Sequence, residues 1–245
     1  MAPVTDTPHL LIVAHGEQGG ARDNAWLAAI VAASRALLGD TRVHGAVLSG
    51  EPLLETVVAQ ASAREWFVYP LFMSEGYFVA NALPKRLAAA GVNFTVLPAL
   101  GTHRGFAELA ASQMRGAGAN AAEILVVAHG SGKDARSRLA AQTFARQLGA
   151  ALGAQTPDCA FLEEPPFAAE AIAALSPGAV VVSLFAGRGL HGAEDLPRMV
   201  DQSGRNDLKI VRPVEDTDAI ARIVADALRS ASAGSTFERM TGNAC

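Results

Sequence analysis

The chain repeats itself once, and this constrains its fold more than any other feature of the sequence. LLIVAHGE (Leu10–Glu17) returns as ILVVAHGS (Ile124–Ser131) at a shift of 114 residues. VLSGEP (Val47–Pro52) meets FLEEPP (Phe161–Pro166) at the same shift of 114. PLFMSEGYFVANALP (Pro70–Pro84) meets SLFAGRGLHGAEDLP (Ser183–Pro197) at 113, and VLPALG (Val96–Gly101) meets VRPVED (Val211–Asp216) at 115. Four anchors at a nearly constant shift mark a single duplication rather than a solenoid of many short repeats. The 245 residues divide into halves 1–116 and 117–230, with the small-residue stretch Gly116–Ala122 as a linker. From Ser230 to Cys245 the chain is Ser/Ala/Gly-rich without a period, and 231–245 is expected to be a mobile tail.

Each half alternates short apolar runs with Ala/Leu-rich stretches. The runs are Leu10–Ala14, Arg42–Leu48, Trp66–Tyr69 and Phe94–Leu97, then Ile124–Ala128, Asp158–Leu162, Ala179–Ser183 and Lys209–Val211. Runs as continuous as ILVVA suit strands buried on both faces of a parallel sheet. Ala25–Leu38 and Ser137–Leu152 repeat apolar residues at helical spacing. The sequence therefore predicts an α/β protein of two homologous doubly wound half-domains, each a four-stranded parallel sheet flanked by helices.

Ligands of open α/β sheets bind beyond the carboxyl ends of the strands. His15 and His129 each lie one residue past a predicted strand, Glu163 follows the second strand of its half, and His191 follows the third. The second half thus brings His129, Glu163 and His191 to one sheet edge. Two imidazoles and a carboxylate suit a divalent first-row metal such as cobalt, nickel or iron, and the same groups can accept protons near neutrality. The first half keeps His15 but has Ser49, Phe78 and Ala82 where the second has Glu163, His191 and Asp195. One copy has lost its polar groups while its apolar framework persists, which marks a degenerate copy beside an active one. Cys159, four residues before Glu163, is read as a core residue.

Several classes are excluded. The count of 20 Lys and Arg against 24 Asp and Glu leaves a net charge of −4, with no global attraction for nucleic acid or an anionic membrane. Half the residues are apolar, against intrinsic disorder. No apolar run approaches the roughly 20 residues of a membrane span. The N-terminal MAPVTDTPHL lacks a basic n-region, so the cytoplasm is the expected compartment. Two cysteines, Cys159 and Cys245, make no disulfide framework. HGSGKD is not an ATP-binding P-loop, since Val127 stands where the first glycine is required and Asp134 follows Lys133. There is no GxSxG elbow, and Ala rather than the Arg of histidine phosphatases precedes each His-Gly pair.

AHGS, a strand ending in FLE, and GLHxxEDLP together resemble the single-subunit type II chelatases of the CbiX and sirohydrochlorin chelatase kind, in their long two-half form. The resemblance runs from Leu10 to Arg229. It departs at Ser183, where the family usually has Pro, and in the missing first-half ligands. It places the family's metal-site histidines on His129 and His191 and its acidic residue on Glu163. It implies ATP-independent insertion of a divalent metal into a sirohydrochlorin-type tetrapyrrole in cobalamin or siroheme-type biosynthesis. The metal is a substrate, Co2+ first, with Ni2+ or Fe2+ as alternatives. The macrocycle carries eight carboxylates, so Lys133, Arg136 and Arg188 are expected to bind it. A metal or tetrapyrrole carrier on the same scaffold is the alternative, distinguished by absence of turnover.

Overall fold

The computed structural model describes residues 9–16, 24–118, 123–186 and 196–241. The first half runs β1 (His9–Ala14), α1 (Ala25–Leu38), β2 (Arg42–Val47), α2 (Leu54–Ala61), β3 (Glu65–Pro70), α3 (Leu83–Ala89), β4 (Asn93–Val96) and α4 (Arg104–Gly116). The second runs β5 (Ile124–Ala128), α5 (Ala135–Leu152), β6 (Asp158–Phe161), α6 (Ala168–Ala174), β7 (Val180–Leu184), α7 (Leu196–Gln202), β8 (Lys209–Val211) and α8 (Thr217–Thr241). Each half forms a four-stranded sheet, ordered β2-β1-β3-β4 and β6-β5-β7-β8, with every pairing parallel. The duplication read from the sequence is thus repeated strand for strand.

The continuous apolar runs are explained by helices on both faces. Side chains alternate across a strand. Leu10 and Ile12 therefore face a core shared with α1, α4, α5 and α8, while Leu11 and Val13 face α2 and α3. In the second sheet Val126 and Ala128 face the shared core, and Leu125 and Val127 pack against α6 and α7. Full burial of each such aliphatic side chain stabilises the fold by about 1.5–3 kcal/mol.

The halves interlock through the helices between the two sheets. The last helix of each half lies along the first helix of the other, α8 on α1 and α4 on α5. Phe106 of α4 meets Phe144 of α5 with ring centroids 5.6 Å apart. Trp26 of α1 donates its indole N–H to the Val214 carbonyl over 2.7 Å. One apolar core therefore runs through both halves.

The C-terminal stretch that was expected to form a tail is helical over part of its length. α8 continues through Thr241, beyond Ser230, where a tail was expected to begin. Adding a residue to an existing helix requires only one more hydrogen bond, the stretch contains no proline, and Ala231 still packs against the shared core. Among the described residues, no helix is long and apolar enough to cross a membrane.

Candidate active site

In this strand order the topological switch lies between β1 and β3, and between β5 and β7, where ligands of open α/β sheets bind. His15 and His129 stand at the carboxyl ends of the central strands β1 and β5. The glycine after each is required by its packing. Gly16 has φ +105°, and a Cβ there would lie 1.9 Å from the Ser49 carbonyl oxygen. Gly130 has φ +73°, and a Cβ would lie 2.7 Å from the Phe161 Cβ. Only glycine meets both demands without strain. The next strand end is then tied to the histidine backbone. The Glu163 N–H donates to the His129 carbonyl over 3.1 Å, and the Ser49 N–H donates to the His15 carbonyl over 2.9 Å.

This tie sets the Glu163 carboxylate against the His129 ring, with Oε2 3.7 Å from Nδ1. Nδ1 also lies 3.2 Å from the Gly130 carbonyl oxygen. A carbonyl only accepts, so the Gly130 contact is a hydrogen bond in the tautomer with the proton on Nδ1, which leaves Nε2 as the basic nitrogen. The His129 and Glu163 side chains retain 42% and 58% of their exposure, which leaves both accessible to ligands and to solvent protons.

Both histidines open onto one cleft of about 480 Å³ between the halves, with Glu163, Ser131 and Asp134 on the second-half side and Phe72, Tyr77 and Phe78 on the first. The positions expected to mark the degenerate copy are apolar or lack a carboxylate. Phe78 packs T-shaped with His15, centroids 4.6 Å apart, and Ser49 offers no carboxylate where Glu163 stands in the other half.

Sequence reasoning missed Glu164. It is buried beneath the loop that carries His129. Oε1 accepts the Ser131 N–H over 3.0 Å, and Oε2 accepts from the Arg138 guanidinium. Arg138 lies over the Phe161 ring at 4.8 Å and donates to the Pro165 carbonyl over 2.6 Å. Burial alone would raise the Glu164 pKa. The Ser131 amide and the Arg138 guanidinium outweigh it and hold the carboxyl below its usual range. The repeat carries no signal for it, because its counterpart at the shift of 114 is Gly50; only the folded chain shows that Asn24 and Glu51, the counterparts of Arg138 and Pro165, form the matching side-chain-to-carbonyl bond over 2.6 Å.

The other expected site residues fall as follows. His191 and Arg188 lie outside the described residues. Lys133 is exposed and does not line the cleft. Arg136 pairs with Asp134 over 3.0 Å and lines a neighbouring groove with Glu75 and Leu139. Among the described residues that line the cleft, Asp134 and Glu163 are charged and none is Lys or Arg. No group of three or more His, Cys, Asp or Glu among the described residues is arranged to hold a metal. Cys159 packs against the shared core as expected, and burial pushes its thiol up to about 11.

A duplicated α/β scaffold with an imidazole and a carboxylate at one switch point is the class that the fold and the site define. Comparison with known proteins identifies it further. The sequence matches the CbiX family over residues 9–117 and again over 123–231. The protein belongs to the CbiX family. Among solved structures it is similar to CbiX described as the terminal enzyme for biosynthesis of siroheme in denitrifying bacteria. That match has 31% identity and a TM-score of 0.78, covering 91% of this chain and 99% of the other. The sirohydrochlorin chelatase SirB from Bacillus subtilis subspecies spizizenii, in complex with cobalt, shares the fold at 15% identity and TM-score 0.74, over 93% of this chain and 96% of the other. SirB from Bacillus subtilis with Fe3+ does so at 18% identity and TM-score 0.76, over 94% and 98%. Among curated proteins no match was found.

Proposed function

We propose that this protein inserts a divalent metal ion into a sirohydrochlorin-type tetrapyrrole without ATP. The observation that carries the reading is the His129–Glu163 pair, 3.7 Å apart at a cleft between the halves that the degenerate copy closes on its other side. Membership of the CbiX family supports it. Co2+ is the expected metal substrate, and Ni2+ and Fe2+ are the alternatives. The siroheme role of the 31% identical relative makes Fe2+ the first competitor, because siroheme carries iron. The same relative supports siroheme formation as the pathway to set against cobalamin.

Insertion requires two pyrrole N–H protons to leave as the metal enters. In this reading His129, through Nε2, and His191 deliver the metal and accept protons. Glu163 faces the opposite ring nitrogen of His129, where a carboxylate orients the imidazole and relays protons to water. Lys133, Arg136 and Arg188 are the basic residues assigned in this reading to the peripheral carboxylates.

The test is a spectrophotometric insertion assay with metal-free sirohydrochlorin and Co2+, Ni2+ or Fe2+ in turn, without ATP. Many turnovers per protein with at least one metal are expected. Uptake that stops at one equivalent of metal or tetrapyrrole would replace the enzyme by a carrier.

A further inference from the structure

The first half has lost Glu and His ligands at its strand ends, yet its side of the cleft is not inert. Phe78, the counterpart of His191 in the repeat, is the centre of a cluster of four rings. Its ring lies 4.6 Å from His15 at 81°, 6.3 Å from Phe72 at 27° and 5.7 Å from Tyr77 at 73°, all between centroids. All four rings line the same cleft as His129 and Glu163.

Two of these rings carry unusually exposed apolar surface. Few large apolar side chains among the described residues are well exposed, and Tyr77 and Phe78, at 64% and 41%, are neighbours in the cleft. Their backbone is held in place. The π-helical turn Phe78–Ala82 begins at the cleft, Val79 is buried beneath it at 5%, and Leu83 follows at 0% in the outer core. Single-turn π-helical segments recur at functional sites because the extra residue redirects side chains. Concave sites lined by aromatic rings with few polar groups are the usual seats of flat organic ligands.

We propose that the degenerate half has become an aromatic wall, with Phe78 at its centre flanked by Tyr77 and Phe72, which holds the face of the tetrapyrrole against His129 and Glu163 on the opposite side. The proposal rests on the chelatase reading for the identity of the ligand. It explains why the first copy lost its polar groups without losing the cleft. One half presents the reactive pair and the other presents a surface on which a planar conjugated ring stacks, since offset and edge-on aromatic contacts add to plain apolar burial. His15 is then a positioning residue, whose ring packs at a steep angle against Phe78 and fixes it. The cleft has no described Lys or Arg, which suits contact with the macrocycle face and sends its carboxylates outward to the rim.

The experiment compares Phe78→Ala, Phe78→Leu and Phe78→Tyr in the full chain. Metal-free sirohydrochlorin is titrated by absorbance without metal, insertion kinetics are measured with the metal that supports wild-type turnover, and urea unfolding verifies each fold. Phe78→Ala is expected to raise the tetrapyrrole Kd and KM about 10-fold, with the loss in KM rather than kcat and the metal KM unmoved. Phe78→Leu keeps apolar area without a ring and falls between. Phe78→Tyr recovers most of the binding lost in Phe78→Ala. Unchanged tetrapyrrole Kd and KM in a folded Phe78→Ala overturns the wall while leaving the chelatase reading intact. Equal loss in Phe78→Tyr and Phe78→Ala overturns it too, since a ring would then not be what matters. If the wild type inserts no metal, the titration alone decides. Phe78-dependent binding supports the wall while the chelatase reading fails, and absent or Phe78-independent binding overturns the wall as well.

Discussion

Glu163 and Glu164 are consecutive residues after β6, and their carboxylates serve opposite sides of one loop. Glu163 Oε2 lies 3.7 Å from the His129 ring in the cleft, whereas Glu164 Oε1 holds the Ser131 N–H at 3.0 Å from beneath. The first faces the cleft beside the His129 ring, and the second holds the backbone of the loop that follows the histidine. Charge-assisted hydrogen bonds to a buried carboxylate are among the stronger polar contacts in a fold, so the two glutamates are expected to separate in their effects.

Glu164→Gln is expected to lower stability at pH 7 by about 1–2 kcal/mol, since it leaves Arg138 without its charged partner. The Glu164 pKa is lowered in the folded state from its ordinary 4.5. Its contribution is therefore fully present above that value and is lost as pH falls through the lower folded pKa. Urea unfolding across pH 7 to 3 checks this: the gap between wild type and variant narrows below about pH 4.5. A constant gap would mean that the carboxylate charge is not what holds the loop.

Glu163→Gln leaves stability within about 0.5 kcal/mol, as expected for an exposed side chain. It is expected to lower kcat for insertion by about 10²-fold, because the amide neither accepts nor relays a proton. A loss of only a few-fold in the insertion assay would reduce Glu163 to an orienting hydrogen bond.

The two strand-end histidines are expected to differ. His129→Ala removes the basic nitrogen and lowers the insertion rate by about 10²–10⁴-fold. His15→Ala lowers it less, because the partner positions are Ser49 and Phe78, and its loss lies in the tetrapyrrole KM. The comparison is made at saturating metal. Equal losses in kcat would show that the first half still contributes chemistry.

Ser183→Ala is expected to stabilise the protein by about 1 kcal/mol, because it removes a buried polar group without a compensating bond. Ser183 lies on β7 at 1% exposure, and its hydroxyl has no hydrogen-bond partner among the described residues. A higher urea midpoint with unchanged insertion kinetics is the expected result, and a lower midpoint would reveal a partner.

His44 gives a second pH window, far from the cleft. Its ring stacks on His9 at 5.2 Å and meets Trp66 edge-on at 5.1 Å, on the side of the sheet where β1 begins. Burial, then the neighbouring His9, Arg35 and Arg42, lower its pKa from 6.5. The unfolded chain therefore takes up a proton first as pH falls, and stability declines from about pH 6.5 downward. Unfolding free energies at pH 7.5 and 5.5 should differ less in His44→Asn than in wild type.

The sequence by itself determined the architecture and the unequal halves. Strand identity rests on short apolar runs, and the duplication rests on matched residues at a nearly constant shift. Both are properties of neighbouring positions or of alignment, so His129, Glu163 and the loss at Ser49 and Phe78 were legible without coordinates. The resemblance carried by AHGS, FLE and GLHxxEDLP supplied the family, to which the comparisons assign the chain. Only the tertiary structure decided the rest. Glu163 and Glu164 are chemically alike and adjacent, and what separates them is Arg138, brought from a helix 26 residues away. That α8 lies on α1 and α4 on α5 follows from which apolar faces meet across the sequence. The persistence of α8 to Thr241 follows from an established helix needing little local preference to continue. The aromatic character of the first-half side of the cleft emerged because Phe72, Tyr77 and His15 gather around Phe78, His15 being delivered by β1 from more than fifty residues earlier in the chain. Local pattern fixes which elements form and which residues end them. Which side chains those ends present to one another is set by contacts distant in sequence, and those exist only in the folded chain.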